Sequence, residues 1–457
     1  MTIEEKCAQV LMIAVGTGPE VPKDFARLVR DVPAGAILLL GYNVAESAEK
    51  IMKLGAAFQE AARAAGKGIP FLIALDHEGG TVYRLGKAAT RIPGASRAGA
   101  VLEKALGAGP GAEADLLLNI AASRIDGNNP SETRKAYTEL QGLLKAHPGH
   151  PGIPKALYEA ELALAIKAPP SGGIAEPERF IRARDSASAA ALAALYRNSA
   201  RQLSLLGFSL NLAPVLEPLG KANREFLRYR SYGADPRTVG LAGEIFIRAM
   251  REGGVLAAGK HFPGTGSGDP HEASSRLDLD IGEGGGEAPE IIPFQRAIAD
   301  GGLAALMVSH VLVPALDPAL PVSLSAPALS FIRQRLGFEG IILTDDINMK
   351  ALIRGREPGE AAVAALAAGA DMVMYLDERG VAAVHAGLVR AVREGSLPQE
   401  RLDGAAARVL EQKIVLDLWR KSSELIQAAQ DETALSRRGA EFSCLKKEGD
   451  ALLKKLQ

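Results

Sequence analysis

Apolar runs rich in Val, Ile and Leu recur along the chain, each followed by a longer Ala-rich stretch of helical character. A strand buried on both faces reads as an unbroken apolar run rather than an alternation, so the pattern predicts parallel strands joined by helices. Eight candidates stand out: LMIAV (11–15), AGAILLL (34–40), FLIALD (71–76), SLNLAPV (209–215), VLAAGKHF (255–262), AALMVSH (304–310), GIILTDD (340–346) and DMVMYL (371–376). Eight such units favour an α/β fold of the TIM (β/α)8 barrel type over an open doubly wound sheet. No GxGxxG turn follows the first run to argue otherwise.

The rhythm breaks once. More than 130 residues separate the third and fourth runs, far beyond one crossover helix. From about Leu102 to Ser188 the pattern is helical, as in EADLLLNIAASRI and KAYTELQGLLKAH, so a helical insertion (102–188) is expected after strand three. Part of it resembles a tetratricopeptide-type helix pair. Plain helical decoration is the alternative, since one degenerate repeat occurs in many helical hairpins. Such a module would offer a surface to a protein partner. Residues 421–457 alternate charged and apolar positions like an amphipathic helix or helix pair, expected to pack back on the barrel. The expected division is a discontinuous barrel (1–101 and 189–420), the insertion and this helical tail.

At 457 residues the chain can hold a large barrel plus such additions. Lys and Arg total 53 against 54 Asp and Glu, a near-cancellation that gives no general pull toward nucleic acid or anionic lipid. Neither is expected as a partner. Cys7 and Cys444 lack the spacing of a metal site or disulfide framework and read as reduced thiols. MTIEEKCAQVLMIAV has no basic n-region, no long apolar core and no small-residue cleavage site. A cytoplasmic protein is expected, with a leader removed ahead of this numbering as the alternative. No apolar run approaches the roughly 20 residues that span a bilayer as a helix.

Barrel active sites assemble just past the carboxyl ends of the strands, and there this chain places its reactive residues. Asp345, beside Asp346 in ILTDDIN, would reach the mouth as a nucleophile or as a structural acceptor. Asp269-Pro270-His271 follows the glycine-rich GTGSG. A His titrates near neutrality and an Asp two residues away can fix its tautomer, although a solvent-exposed loop His is the plainer reading. Lys260 and His261 end strand five and could bind hydroxyls or an anionic group, provided a bulge or turn lets both neighbours face the site. Asp76 and Glu78 end strand three, with Arg84 as a candidate partner for the pair and buried ion pairing as its competing role. His261, His271 and His310 are dispersed and no HExxH occurs, which argues against catalytic zinc.

At these residues the chain resembles family-3 glycoside hydrolases, specifically the bacterial β-N-acetylhexosaminidases of the NagZ type. The resemblance runs from EEKCAQVLM to RVLEQKIVLDLW without the insertion, through ALDHEGGTVYRL, LNLAPVLEP, YRSYGADP, GKHFPGTG, LMVSHVLVPALDP, LSFIRQRLGFEGIILTDDINM and ALAAGADMVM. It implies a retaining double displacement on a small carbohydrate, with no metal or organic cofactor. The nucleophile would be Asp345, the acid and base His271 held by Asp269, and the sugar-binding residues Asp76, Arg84, Arg230, Lys260 and His261. Most retaining glycosidases instead pair two carboxylic acids about 5–5.5 Å apart. The chain departs from the family at Thr265, where relatives commonly have His, at Pro270 in a shortened loop, and at His77 in place of Gln. A β-glucosidase, a β-xylosidase, a glycoside phosphorylase and a barrel that binds sugar or protein without catalysis are the alternatives.

Overall fold

The computed structural model describes all residues except 45–46, 81, 86–87, 107–111, 123–129, 148–152, 154–155, 158–179, 267–274, 282–287, 300–301, 354–355 and 457. Asp269, Pro270 and His271 lie outside the described residues.

The eight apolar runs become eight short parallel strands: β1 (Leu11–Ala14), β2 (Ala36–Leu39), β3 (Leu72–Leu75), β4 (Leu210–Asn211), β5 (Leu256–Phe262), β6 (Ala305–Val308), β7 (Ile341–Asp346) and β8 (Met372–Tyr375). They pair in sequence order and β8 closes on β1, a TIM barrel. Alternation along each strand divides the core in two. Met12, Leu38, Leu72, Ala74, Leu256, Ala258, Leu343 and Met374 fill the barrel interior. Ile13, Ile37, Ile73, Leu75, Leu306, Ile342 and Val373 pack outward against the helical layer.

Between β3 and β4 come helices Ala95–Leu106, Ala112–Ala122 and Pro130–Ala146, and Phe180–Leu206 leads back to β4. Ala121, Leu140, Leu143, Ile153 and Ala156 form a small apolar cluster apart from the barrel core. Arg248 donates to Glu139 at 3.3 Å and Arg296 to Glu113 at 2.5 Å, tying these helices to the ring. The tail folds as Leu418–Gln430 and Glu432–Lys455 and packs back on the barrel against Ala48–Ala64 and Phe180–Leu206.

The second tail helix also grips the loop after β3. Thr90 Oγ1 donates to the Lys446 carbonyl at 3.0 Å, and Asn198 Nδ2 to that of Leu445 at 2.9 Å. Gly449 lies where a Cβ would come within 2.6 Å of Thr90 Oγ1, so only a residue without a side chain lets the helix approach this closely. Among the described residues no helix is long and apolar enough to cross a membrane.

Candidate active site at the barrel mouth

The period of two that puts Leu72 and Ala74 inside the barrel carries on to Asp76 and Glu78. The chain then reverses at Gly79 and Gly80, both at positive φ, where a Cβ would meet the Pro93 carbonyl oxygen at 2.4 Å or Gly94 Cα at 2.7 Å. Leu256 and Ala258 point inward on β5 and Lys260 continues the same face. Phe262 would follow by alternation, yet it packs outward on Phe294 with ring centroids 5.1 Å apart. The ladder shifts register between Gly259 and Phe262. This bulge meets the condition set by the sequence: Lys260 and His261, adjacent in the chain, both reach the polar groups at the mouth.

Lys260 is buried, and its Nζ donates to Asp76 at 2.5 Å and sits 2.7 Å from Glu78. Burial alone would lower the ammonium, but Asp76 and Glu78 outweigh it and raise it. Arg230 Nε and Nη2 donate to the two Glu78 oxygens at 2.9 and 2.8 Å, a bidentate pair, with the guanidinium 5.3 Å from the Phe226 ring centroid. Glu78 is buried, which raises a carboxyl, yet Lys260 and Arg230 hold it well below the usual range. The next helix, Pro236–Glu252, is started by the ADP of YGADP: Asp235 accepts from Thr238 N at 2.9 Å and Pro236 takes the first helical position.

The expected pairing of Arg84 with the Asp76/Glu78 cluster is corrected by this geometry. Glu78 is held by Lys260 and Arg230, and Asp76 by Lys260, whereas Arg84 makes no hydrogen bond or ion pair among the described residues and its buried Nε has no partner. Among the described residues no ion pair holds Arg84. His77, pointing away from Asp76 and Glu78, is fully buried against Tyr83 with ring centroids 4.6 Å apart. Neither ring nitrogen has a hydrogen-bond partner among the described residues, and burial together with the Arg84 charge pushes its pKa down to about 3, so it is a neutral ring in the barrel wall.

Asp345 stands half-buried at the end of β7, its Oδ1 accepting from the Asp346 N–H at 2.8 Å. Burial raises its carboxyl, but His261 and His310, the Asp346 amide and Lys260 together hold it below the ordinary carboxylate value. His310 Nε2 lies 3.0 Å from the Asp346 carbonyl, which can only accept, so Nε2 carries the hydrogen and Nδ1 faces the Ser323 hydroxyl at 2.7 Å.

Two residues escaped the sequence reading of the site. Glu217, buried just beyond β4, lies 2.6 Å from His261 Nδ1. It ends the strand-four segment LNLAPVLEP, so the same end-of-strand rule that singled out Asp76 and Lys260 would have found it. His310 ends AALMVSH by that rule too, but nothing in the sequence disclosed that it faces Asp346. The mouth thus combines an ionised carboxylate, a lysine and arginine fixed by carboxylates, one guanidinium with donors to spare and an imidazole. Such an array offers several donors and acceptors to a polyhydroxylated ligand.

Comparisons with known proteins agree with that chemistry. The profile described as Glycosyl hydrolase family 3 N terminal domain matches residues 2–106 and 178–412, leaving out most of the insertion and the tail. The beta-hexosaminidase LpqI of Mycobacterium tuberculosis is 32% identical over 230 residues, 48% of this chain and 58% of that protein. A Cellulomonas fimi protein named beta-N-acetylglucosaminidase/beta-glucosidase is 30% identical over 246 residues, 50% of this chain and 42% of its own length. The chain spans about half the length of these curated relatives. Among solved structures, the beta-N-acetylhexosaminidase of Beutenbergia cavernae shares the fold with a TM-score of 0.63 at 22% identity, covering 90% of this chain and 98% of that one. With the family profile matched over most of its length and the barrel in place, the chain belongs to glycosyl hydrolase family 3.

Proposed function

We propose that the protein is a retaining exo-glycosidase that removes terminal β-linked N-acetylhexosamine from cell-wall muropeptides or chitin-type sugars through a covalent glycosyl-Asp345 intermediate. The observation that carries the reading is the place of Asp345 at the end of β7, at the barrel mouth, where His261, His310 and Lys260 help to hold its carboxyl below the ordinary carboxylate value. An attacking carboxylate needs its charge. In this reading Asp76, Arg84, Arg230, Lys260 and His261 hold the hydroxyls of the sugar. Asp345 attacks the anomeric carbon while His271, oriented by Asp269, protonates the departing oxygen. Water activated by the now neutral His271 then releases the sugar with its β configuration retained. A cytoplasmic site of action goes with this reading.

A chromogenic N-acetyl-β-glucosaminide assayed beside the corresponding β-glucoside tests the proposal. Turnover of the first by wild type, loss of it in Asp345→Asn, and a 2-fluoro glycoside adduct on Asp345 found by peptide mass mapping are expected. Turnover of neither sugar, or an undiminished rate in Asp345→Asn, ends the proposal. Preference for the β-glucoside would favour a second reading, to which the double name of the Cellulomonas fimi relative lends weight.

A further inference from the structure

We propose that Glu217 is a positioning residue that fixes the tautomer of His261, so that Nδ1 carries the hydrogen and Nε2 is the nitrogen offered to the ligand. The inference rests on the reading of His261 as a sugar-binding residue and adds to it which atom does the binding.

Glu217 is 1% exposed, and no arginine or lysine bonds to its carboxylate among the described residues. Instead both its oxygens are turned on the tip of β5. Oε1 lies 2.6 Å from His261 Nδ1 and accepts from the His261 amide at 3.3 Å. Oε2 accepts from the Thr265 amide at 2.7 Å and from its hydroxyl at 2.9 Å. The two amides can only donate, so the carboxylate is an acceptor toward this segment. Facing such an acceptor at 2.6 Å, Nδ1 must hold a hydrogen, and in the neutral ring Nε2 is then the lone-pair nitrogen.

The other side of the ring carries Nε2. His261 Nε2 has no hydrogen-bond partner among the described residues, and His261 and Asp345 both lie at the carboxyl ends of their strands, at the barrel mouth. A neutral His261 therefore accepts a hydrogen bond from a sugar hydroxyl at Nε2, beside Lys260, which can only donate. One hydroxyl can meet both partners at once, donating to Nε2 and accepting from Nζ. Without Glu217 the ring is free to place its hydrogen on Nε2, where it would confront the hydroxyl with a second donor. The arrangement also accounts for Thr265, the departure from the family noted above: its hydroxyl completes the Glu217 shell.

A residue that merely knitted β4 to β5 would show the same contacts, so the test reads the tautomer directly. In full-length protein with 15N-labelled histidine, the His261 signals are assigned by their loss in His261→Asn, at a pH where the ring is neutral. Wild type is expected to show the Nδ1-protonated pattern. Thr265→Val removes one Glu217 contact and Glu217→Asp keeps the charge, and both are expected to retain that pattern. Glu217→Ala is expected to shift the signals toward the Nε2-protonated form. For the N-acetyl-β-glucosaminide, Glu217→Ala should raise KM about tenfold to hundredfold with a smaller change in kcat, in the range of one lost charge-assisted hydrogen bond, and Glu217→Asp should recover most of the loss. A wild-type His261 protonated on Nε2 overturns the proposal by itself, even if no Glu217 variant folds. An unchanged pattern in folded Glu217→Ala does so as well. Because the NMR readout needs no turnover, a failure of the glycosidase reading would leave the tautomer result standing and would show only in the assay.

Discussion

At the floor of the barrel, fully buried Asp371 accepts from Arg333, Arg401 and Arg408, whereas at the mouth Asp76 and Glu78 meet Lys260 and Arg230. Both clusters gather cations around carboxylates at strand ends, and they differ in what the cations do next. At the floor the guanidiniums also bond to main chain: Arg333 to the carbonyls of Phe338 and Gly340, Arg401 to those of Leu366 and Ala370, Arg408 to that of Gly404. They knit the ends of β7 and β8 to the helices around them. At the mouth Arg84 keeps its donors and His261 keeps Nε2 free of partners among the described residues. A charged group saturated by backbone is fixed architecture, and one held on one side and open on the other can receive a ligand.

Three substitutions would break or sharpen this contrast. The largest effect is expected for Asp345→Asn, which should lower kcat/KM on the N-acetyl-β-glucosaminide by about 10³-fold or more, with the urea midpoint close to wild type. Asp371→Ala should do the opposite. It leaves three partly exposed guanidiniums facing one another and should cost about 2–4 kcal/mol in urea unfolding, while the protein that remains folded keeps its KM. A small effect there would mean that the backbone carbonyls alone hold the floor. Arg84→Met comes next. Losing one charge-assisted contact to the ligand should reduce kcat/KM roughly tenfold to hundredfold, with stability unchanged because no ion pair among the described residues is broken. A drop in urea midpoint comparable to that of Asp371→Ala would put Arg84 with the floor residues and erase the distinction.

The barrel was legible because parallel strands covered on both faces need unbroken apolar sequence, and most of the eight runs carry it up to the polar residues at their ends, SLNLAPV being interrupted by Asn211. Asp76, Lys260 and Asp345 were legible for a related reason, since each ends such a run. Partner choice was not. Arg84 stands six residues from Glu78 and looked like its mate, but the residue that pairs with Glu78 is Arg230, 152 residues away, which only the closed sheet brings near. Glu217 stands two residues past the apolar run SLNLAPV (209–215), so the end-of-strand rule reaches it only when carried through LEP. The assignment of Asp269 and His271 rests on motif alone, as both lie outside the described residues. The last case is Lys413, which sits in a stretch, LEQKIVLDLW, where its neighbours suggest an exposed helical position.

Lys413 is fully buried near the floor, where its Nζ donates to Gln9 Oε1 at 2.7 Å and Gln9 Nε2 donates to the Pro33 carbonyl at 2.8 Å. No carboxylate pairs with it among the described residues, and burial pushes the ammonium down to about 7 from its ordinary value of 10.5. This sets the sign of a pH dependence. Between these two values the unfolded chain binds the proton that the folded chain has released, so stability rises with pH across that window. Below about pH 7 both states are charged and the full cost of burial is present. Lys413→Met removes the cost but leaves Gln9 Oε1 without its donor, so the net gain in urea unfolding near neutral pH should be only roughly 1–2 kcal/mol. The gain should shrink as the pH is raised to about 9.5, because the wild-type lysine is by then neutral in the fold and its penalty has largely gone. An equal gain at about pH 6 and about pH 9.5 would show that Lys413 does not lose its proton on folding. The floor would then hold a cation sustained by an amide oxygen alone, and saturation by neutral acceptors, not pairing with a carboxylate, would be what separates it from the mouth.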